Sequence, residues 1–168
     1  MNKFIVIAGF QGVWFISVLS AASGLFWLGP FSVICWVLIY ARMSGYMKRE
    51  LLLCLAAGFI GLCIDSLLVW SGAFIPKGIS SALYMSPAWM IGLWLNFGTS
   101  LNSLFHWLKG RYILAALFGL LGGPAAYYSG VSLGAAVISQ PYHESLFMIG
   151  IAWGISMPLL IWLSKRIH

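Results

Sequence analysis

Charge is what this chain lacks most. Charged residues make up 7 % of it, nine Lys and Arg against three Asp and Glu. A water-soluble domain carries roughly a quarter, so a soluble globular fold is excluded. No segment is low-complexity, and no repeat relates the two halves, which leaves an inverted-repeat transporter without direct support. Cysteine is scarce. Cys35, Cys54 and Cys63 lie singly inside apolar runs, odd in number and with no CxxC pair. They read as small buried hydrophobes rather than redox or metal-binding groups. HExxH, GxSxG and phosphate-loop patterns are missing. His106, His143 and His168 fall at different depths, so neither a metal nor a cofactor is expected.

What the chain has in quantity is apolar surface. Hydrophobic residues form 62 % of it, which points to an all-α integral membrane protein. One domain over residues 1–168 has room for about six transmembrane helices of roughly 20 residues each. The apolar runs predict spans over residues 4–22, 25–41, 51–71, 87–108, 112–130 and 146–163. Lys3, the run after it and Ala21-Ala22-Ser23 imitate a signal peptide, but the run is long, and an uncleaved first span is expected. RMSGYMKRE, residues 42–50, reads as the clearest hydrophilic loop, and GAFIPKGISSALYMS as a longer connection. The fifth run is interrupted by Gly122-Gly123-Pro124. Either a helix ends near Gly130 and a loop follows, the preferred reading, or two half-helices meet at the break.

The net charge of +6 would suggest nucleic acid if the basic residues were not confined to short loops. With the N-terminus inside, Lys3, Arg42, Lys48, Arg49, Lys109, Arg111, Lys165 and Arg166 are cytoplasmic, and Lys77 alone is outside. Eight of nine on one side orient the bundle with both termini in the cytoplasm. Small residues four apart at Gly119/Gly123, Gly130/Gly134 and Gly150/Gly154 let spans five and six approach closely. The nine tryptophans read as interface anchors and core filler.

Polar residues inside spans carry the functional reading, because lipid cannot hydrogen-bond them. In PAWMIGLWLNFGTSLNSLFHWLK, residues 87–109, Asn96, Thr99, Ser100, Asn102, Ser103 and His106 fall within roughly 160° of a helix circumference. That stripe should face the bundle centre, with Leu101 and Leu104 toward lipid. Together with Gln11 it forms either a hydrated, head-group-binding cavity or a set of helix-to-helix bonds. Asp65 is the only acid inside a predicted span, about two thirds along span three toward the outer side. It is expected to be protonated and to donate to Tyr127 or Tyr128, which lie at similar depth. His143 and Glu144 could join them in one outward-facing pocket; the plainer reading is an aromatic belt and a solvated helix start. The candidate ligand-binding residues are therefore Asp65, Asn96, Thr99, Asn102, Ser103, His106, Tyr127 and Glu144. No catalytic residue stands out.

The strings PAWMIGLWLNFGTSLNSLFHWL and GGPAAYYSGVSLGA resemble a bacterial inner-membrane family of unknown function. Its members are small and multi-pass, with a Pro-x-Trp…Leu-Trp…Phe…Leu-Asn span and a downstream Gly-Pro-x-Ala-Tyr segment. Here those positions are Pro87, Trp89, Leu93, Trp94, Phe97, Leu101 and Asn102, then Gly123, Pro124, Ala126 and Tyr127. The resemblance covers mainly spans four and five. It implies a bacterial inner-membrane location and, because such genes lie near fatty-acid-modification genes, a lipid context. It brings no catalytic residues. The tryptophan-rich sensory family is similar in size and Trp content only; its motifs do not align here.

The leading expectation is a non-enzymatic protein that binds or handles a lipid or small amphipathic molecule in an intramembrane polar cavity. The alternatives are a small proton-coupled transporter working through Asp65, and an intramembrane lipid-modifying enzyme using Asp65, His143 or Glu144. Expected partners are membrane lipid, a small amphipathic ligand and, as a homo-oligomer, a second copy of the chain, but not nucleic acid. Reporter fusions after Lys48, Gly78, Gly110 and Gln140 should read inside, outside, inside and outside; an external signal at Lys48 overturns this topology.

Overall fold

The computed structural model describes residues 2–79 and 85–167. Residues 80–84, in the middle of the longer connection, lie outside the described residues. The chain forms six α-helices: α1 (Lys3–Ala22), α2 (Leu28–Ser44), α3 (Met47–Trp70), α4 (Ala88–Leu101), α5 (Tyr112–Ser132) and α6 (Tyr142–Ile167). Two three-residue strands, β1 (Phe74–Pro76) and β2 (Ala136–Ile138), and a 3-10 turn at His106–Leu108 complete the described elements. The strands depart from the all-helical expectation. They pair antiparallel, with Ile75 opposite Val137.

The local sequence explains the helix ends. Asn2 caps α1, its side chain accepting from the Phe4 amide at 2.9 Å, and so satisfies one of the otherwise unbonded first-turn donors. Gly45, at φ +78°, stops α2 in the left-handed conformation that glycine adopts freely. Only Gly45 and Tyr46 then separate α2 from α3, so residues 42–50 are two helix ends rather than a loop. Arg42 belongs to α2, and Lys48, Arg49 and Glu50 to the start of α3. α5 runs unbroken through Pro124 to Ser132.

Contacts at the strand pair show that the helices alternate in direction. β1 follows α3 and β2 follows α5, so the C-terminal ends of α3 and α5 meet there. Lys77 Nζ donates to the Ala22 carbonyl at the end of α1 at 2.8 Å, a favourable place for a cation. Trp89 Nε1, in the first turn of α4, donates to the Lys77 carbonyl at 2.9 Å. Ser145 Oγ, early in α6, donates to the Ser139 carbonyl. This end is called the cap end below.

α1, α3, α5 and α6 are long and apolar enough to cross a membrane, and α2 is a shorter apolar helix. They expose large apolar side chains outward: Phe4, Phe59, Leu121 and Ile155 are all more than 60 % exposed. Such a surface suits lipid and not water. α4 is different. From Trp89 to Phe105 no residue is exposed. The helix packs against α1, α2, α3 and α6, and Leu101 is fully buried. The expectation that Leu101 and Leu104 face lipid is therefore corrected: Leu104 is half-buried against the apolar cluster that includes Trp36, Tyr40 and Cys54. Span four was also expected to be helical to residue 108, yet α4 stops at Leu101. Its hydroxyls compete for backbone carbonyls near that end. Ser100 Oγ donates to the Phe97 carbonyl and Ser103 Oγ to that of Thr99, and the Leu104 and Phe105 amides both turn back to the Ser100 carbonyl.

Without a hydrophobic force between helices in lipid, close approach decides packing. α5 and α6 form the most extensive helix pair. Pro124 supplies no amide to the Leu120 carbonyl, and that oxygen rests against Gly150 of α6 instead. A Cβ on Gly98 would sit 2.6 Å from Cys54 Cα, and one on Gly119 would overlap the Trp153 carbonyl, whereas Gly12 has open space. Gly98→Ala and Gly119→Ala should each lower the melting temperature in detergent, by about 1–3 kcal/mol of overpacking, and Gly12→Ala should not. Leu101→Ala should cost about 2 kcal/mol or more through the cavity it leaves. Insensitivity at all three buried positions would contradict the packing.

Candidate functional site

Asp65 sits on α3, 1 % exposed. Gly61 lies one turn earlier on the same face, and its missing side chain leaves the space that the Trp94 indole of α4 fills. Trp94 Nε1 thereby reaches Asp65 Oδ2 at 2.9 Å. On α5, Gly119 and Gly123 admit Trp153 of α6, which stacks on Trp94 with ring centroids 4.2 Å apart. Tyr127, one turn beyond Gly123, donates its hydroxyl to Asp65 Oδ1. Phe74 of β1 meets the Tyr127 ring edge-on at 4.9 Å. Five elements thus converge on one carboxyl group.

Indole N–H can only donate, so Asp65 Oδ2 accepts from Trp94, and the Tyr127 hydroxyl bonds the other carboxyl oxygen. Among the described residues no ion pair reaches Asp65. Trp94 is the partner that sequence reasoning missed; its signal was the Gly61/Asp65 spacing, which leaves a ring-sized gap beside the acid.

Asp65, Trp94 and Tyr127 border a cavity of about 780 Å³. Phe10, Gln11 and Trp14 of α1 form one wall, and Gly122 and Ala126 of α5 the other; Phe97 of α4 and Met157 of α6 lie between. α1 packs on α2 and α4 while α5 packs on α6, with no extensive contact between α1 and α5. Lining residues on both sides, Gln11 and Phe15, Gly122 and Ala125, are exposed. The cavity therefore opens sideways, between helices, onto the face that carries the apolar surface.

The polar stripe of α4 turns away from this cavity, and none of Asn96, Thr99, Asn102, Ser103 and His106 lines it. Asn96 Nδ2 donates to the Phe10 carbonyl of α1 at 3.0 Å. Trp36 Nε1 of α2 donates to Thr99 Oγ1, which in turn donates to the Asn96 carbonyl. These bonds join helices. His106 is exposed in the 3-10 turn, and Glu144 is an exposed partner of His143 at 4.0 Å. Neither lines the cavity.

A second polar cluster lies at the end opposite the cap. Glu50, 3 % exposed, accepts from Asn102 Nδ2 at 3.3 Å and interacts with Tyr40. Lys109 Nζ donates to Asn102 Oδ1 at 2.8 Å and to the Ser164 carbonyl at 3.3 Å. Burial lowers the pKa of the Lys109 ammonium from its ordinary value, and the Glu50 charge works against that shift. Asp65 is therefore not the only buried acid. Glu50 escaped notice because it ends a run of basic residues that reads as solvated.

Fold and cavity together define a six-helix bundle in which four helices are long and apolar enough to cross a membrane. The chain belongs to the family of proteins of unknown function DUF2878, whose family model matches residues 3–159. No curated protein and no solved structure matches it.

An asparagine at position 65 can accept from Trp94 through its carbonyl and donate to the Tyr127 oxygen, whereas leucine leaves both partners unpaired. Asp65→Leu should therefore destabilise by about 1–3 kcal/mol and Asp65→Asn by clearly less, read as melting temperatures in detergent. Equal losses in the two variants would show that the hydrogen bonds contribute little.

Proposed function

We propose that this is a six-span protein of the bacterial inner membrane, both termini cytoplasmic, that takes a lipid or small amphipathic molecule from the bilayer into the cavity between α1, α4, α5 and α6. The observation that carries the reading is the cavity itself. It is largely apolar, opens sideways onto the lipid-facing surface, and holds one buried acid near its cap end. Its volume lies in the range of small-molecule sites. The ligand's apolar body would lie among the rings of Phe10, Trp14 and Phe97, with its polar end toward Asp65 and Tyr127. The lipid context implied by the resemblance of spans four and five points the same way.

The topology has separate support. The helices alternate between the cap end and the opposite end, so α2 and α4, though short, traverse the bundle with the others. Eight of the nine Lys and Arg residues fall at the end opposite the cap, and Lys77 lies at the cap. The positive-inside rule then places the cap on the outer side.

Gly122 offers a direct test, since a Cβ there meets nothing within 4 Å and the residue lines the cavity. Gly122→Trp should fill the space. Binding of the neutral apolar fluorophore N-phenyl-1-naphthylamine to the purified chain should weaken roughly tenfold or more, about 1.4 kcal/mol, with the melting temperature kept. Native mass spectrometry of the wild type should show a lipid-sized adduct that this variant loses. Unchanged fluorophore binding in Gly122→Trp would overturn the cavity reading.

A further inference from the structure

The charge balance of the cavity narrows the chemistry of what it holds. Among the described lining residues Asp65 is the one acid, and no Lys, Arg or His accompanies it. Both its oxygens accept from neutral donors, so its charge, when present, is solvated but not compensated. Aromatic rings stand on every wall: Phe10 and Trp14 on α1, Trp94 and Phe97 on α4, Tyr127 on α5, Trp153 on α6. The face of an aromatic ring is its negative pole and attracts cations, most strongly where water is excluded. Trp94 and Trp153 stack at 4.2 Å beside the carboxyl group, each covering one face of the other.

We propose that the cavity selects a lipophilic cation, an ammonium-type or phosphonium-type centre on an apolar body, with its charge among the ring faces in front of Asp65. This rests on the cavity reading above and specifies its ligand class. An anionic head group would meet a carboxylate and ring faces, all repulsive, with no cation to receive it. A zwitterion would leave its anionic half unmatched for the same reason. A neutral amphipath would forgo the field of the carboxylate. Asp65 is 1 % exposed and needs no direct contact with the ligand, because Coulomb attraction extends over several ångströms in apolar surroundings. Trp94 and Tyr127 bond its two oxygens and hold it in place. The sideways opening suits a ligand that partitions into the bilayer before it binds.

The test uses the purified full chain in a neutral detergent and three probes. Tetraphenylphosphonium and tetraphenylborate have the same shape and opposite charge; N-phenyl-1-naphthylamine is neutral and reports whether the cavity is intact. Tetraphenylphosphonium should quench tryptophan fluorescence saturably and bind at least tenfold tighter than tetraphenylborate. Asp65→Asn should weaken the cation at least tenfold. Equal or tighter binding of tetraphenylborate, with the neutral probe still bound, would overturn the cation proposal and leave the cavity reading standing. Failure of all three probes on the wild type would overturn both. The comparison of the two ions on the wild type decides even where Asp65→Asn fails to fold.

Discussion

The hydrogen bonds from Trp94 and Tyr127 to Asp65 join three helices in a place where neither water nor lipid offers a substitute. In a bilayer, apolar side chains are as content against acyl chains as against each other, so hydrophobicity alone does not assemble a bundle. Directional bonds and close backbone approach must do it. Asp65 supplies the first and Gly61, Gly119 and Gly123 the second. The glycines lie one or two turns from the acid and its tyrosine partner; Gly61 makes room for the Trp94 indole, Gly123 for the Trp153 side chain, and Gly119 for the Trp153 carbonyl. Removing the carboxyl group would leave an indole and a phenol without acceptors; removing the glycines would keep the indole from reaching it.

The same reasoning explains what the sequence revealed. Apolar run lengths mark where most helices lie, and depth brings Tyr127 or Tyr128 level with Asp65, of which Tyr127 makes the bond. The orientation of α4 was only half legible. A polar stripe on a membrane helix says that the stripe is inside, but the opposite, apolar face is equally acceptable to lipid and to protein. Leu101 and Trp94 are buried because α4 is surrounded, and no periodicity records that. The stripe reads as the wall of a cavity, yet its donors are engaged between helices: Asn96 Nδ2 with the Phe10 carbonyl, and Thr99 Oγ1 with Trp36 and the Asn96 carbonyl. The cavity lies on the face that reads as lipid-exposed.

Glu50 shows a second limit. Between Arg49 and an apolar run it has the surroundings of a solvated helix start. Its burial comes from Tyr40, Asn102 and Lys109, none of them near in sequence except through the fold. Long-range polar partners leave no local signal. Asp65 was visible because a lone acid inside an apolar run is improbable on composition alone. The two strands were invisible for a related reason: three residues each are too few to set a pattern, and their pairing depends on the ends of α3 and α5 arriving together.

α2 and α4 tie α1 and α3 into one group, and α5 and α6 form a second close pair, locked where the Leu120 carbonyl meets Gly150 and joined to the first group through α6 against α3 and α4. The molecule is thus two leaves of unequal thickness, bound along a spine where Trp94 stacks on Trp153 and Tyr127 reaches across to Asp65. The cavity is the gutter between the leaves. Its width is governed by the angle at which they meet, so the polar bond at the spine acts as a clasp on the volume in front of it.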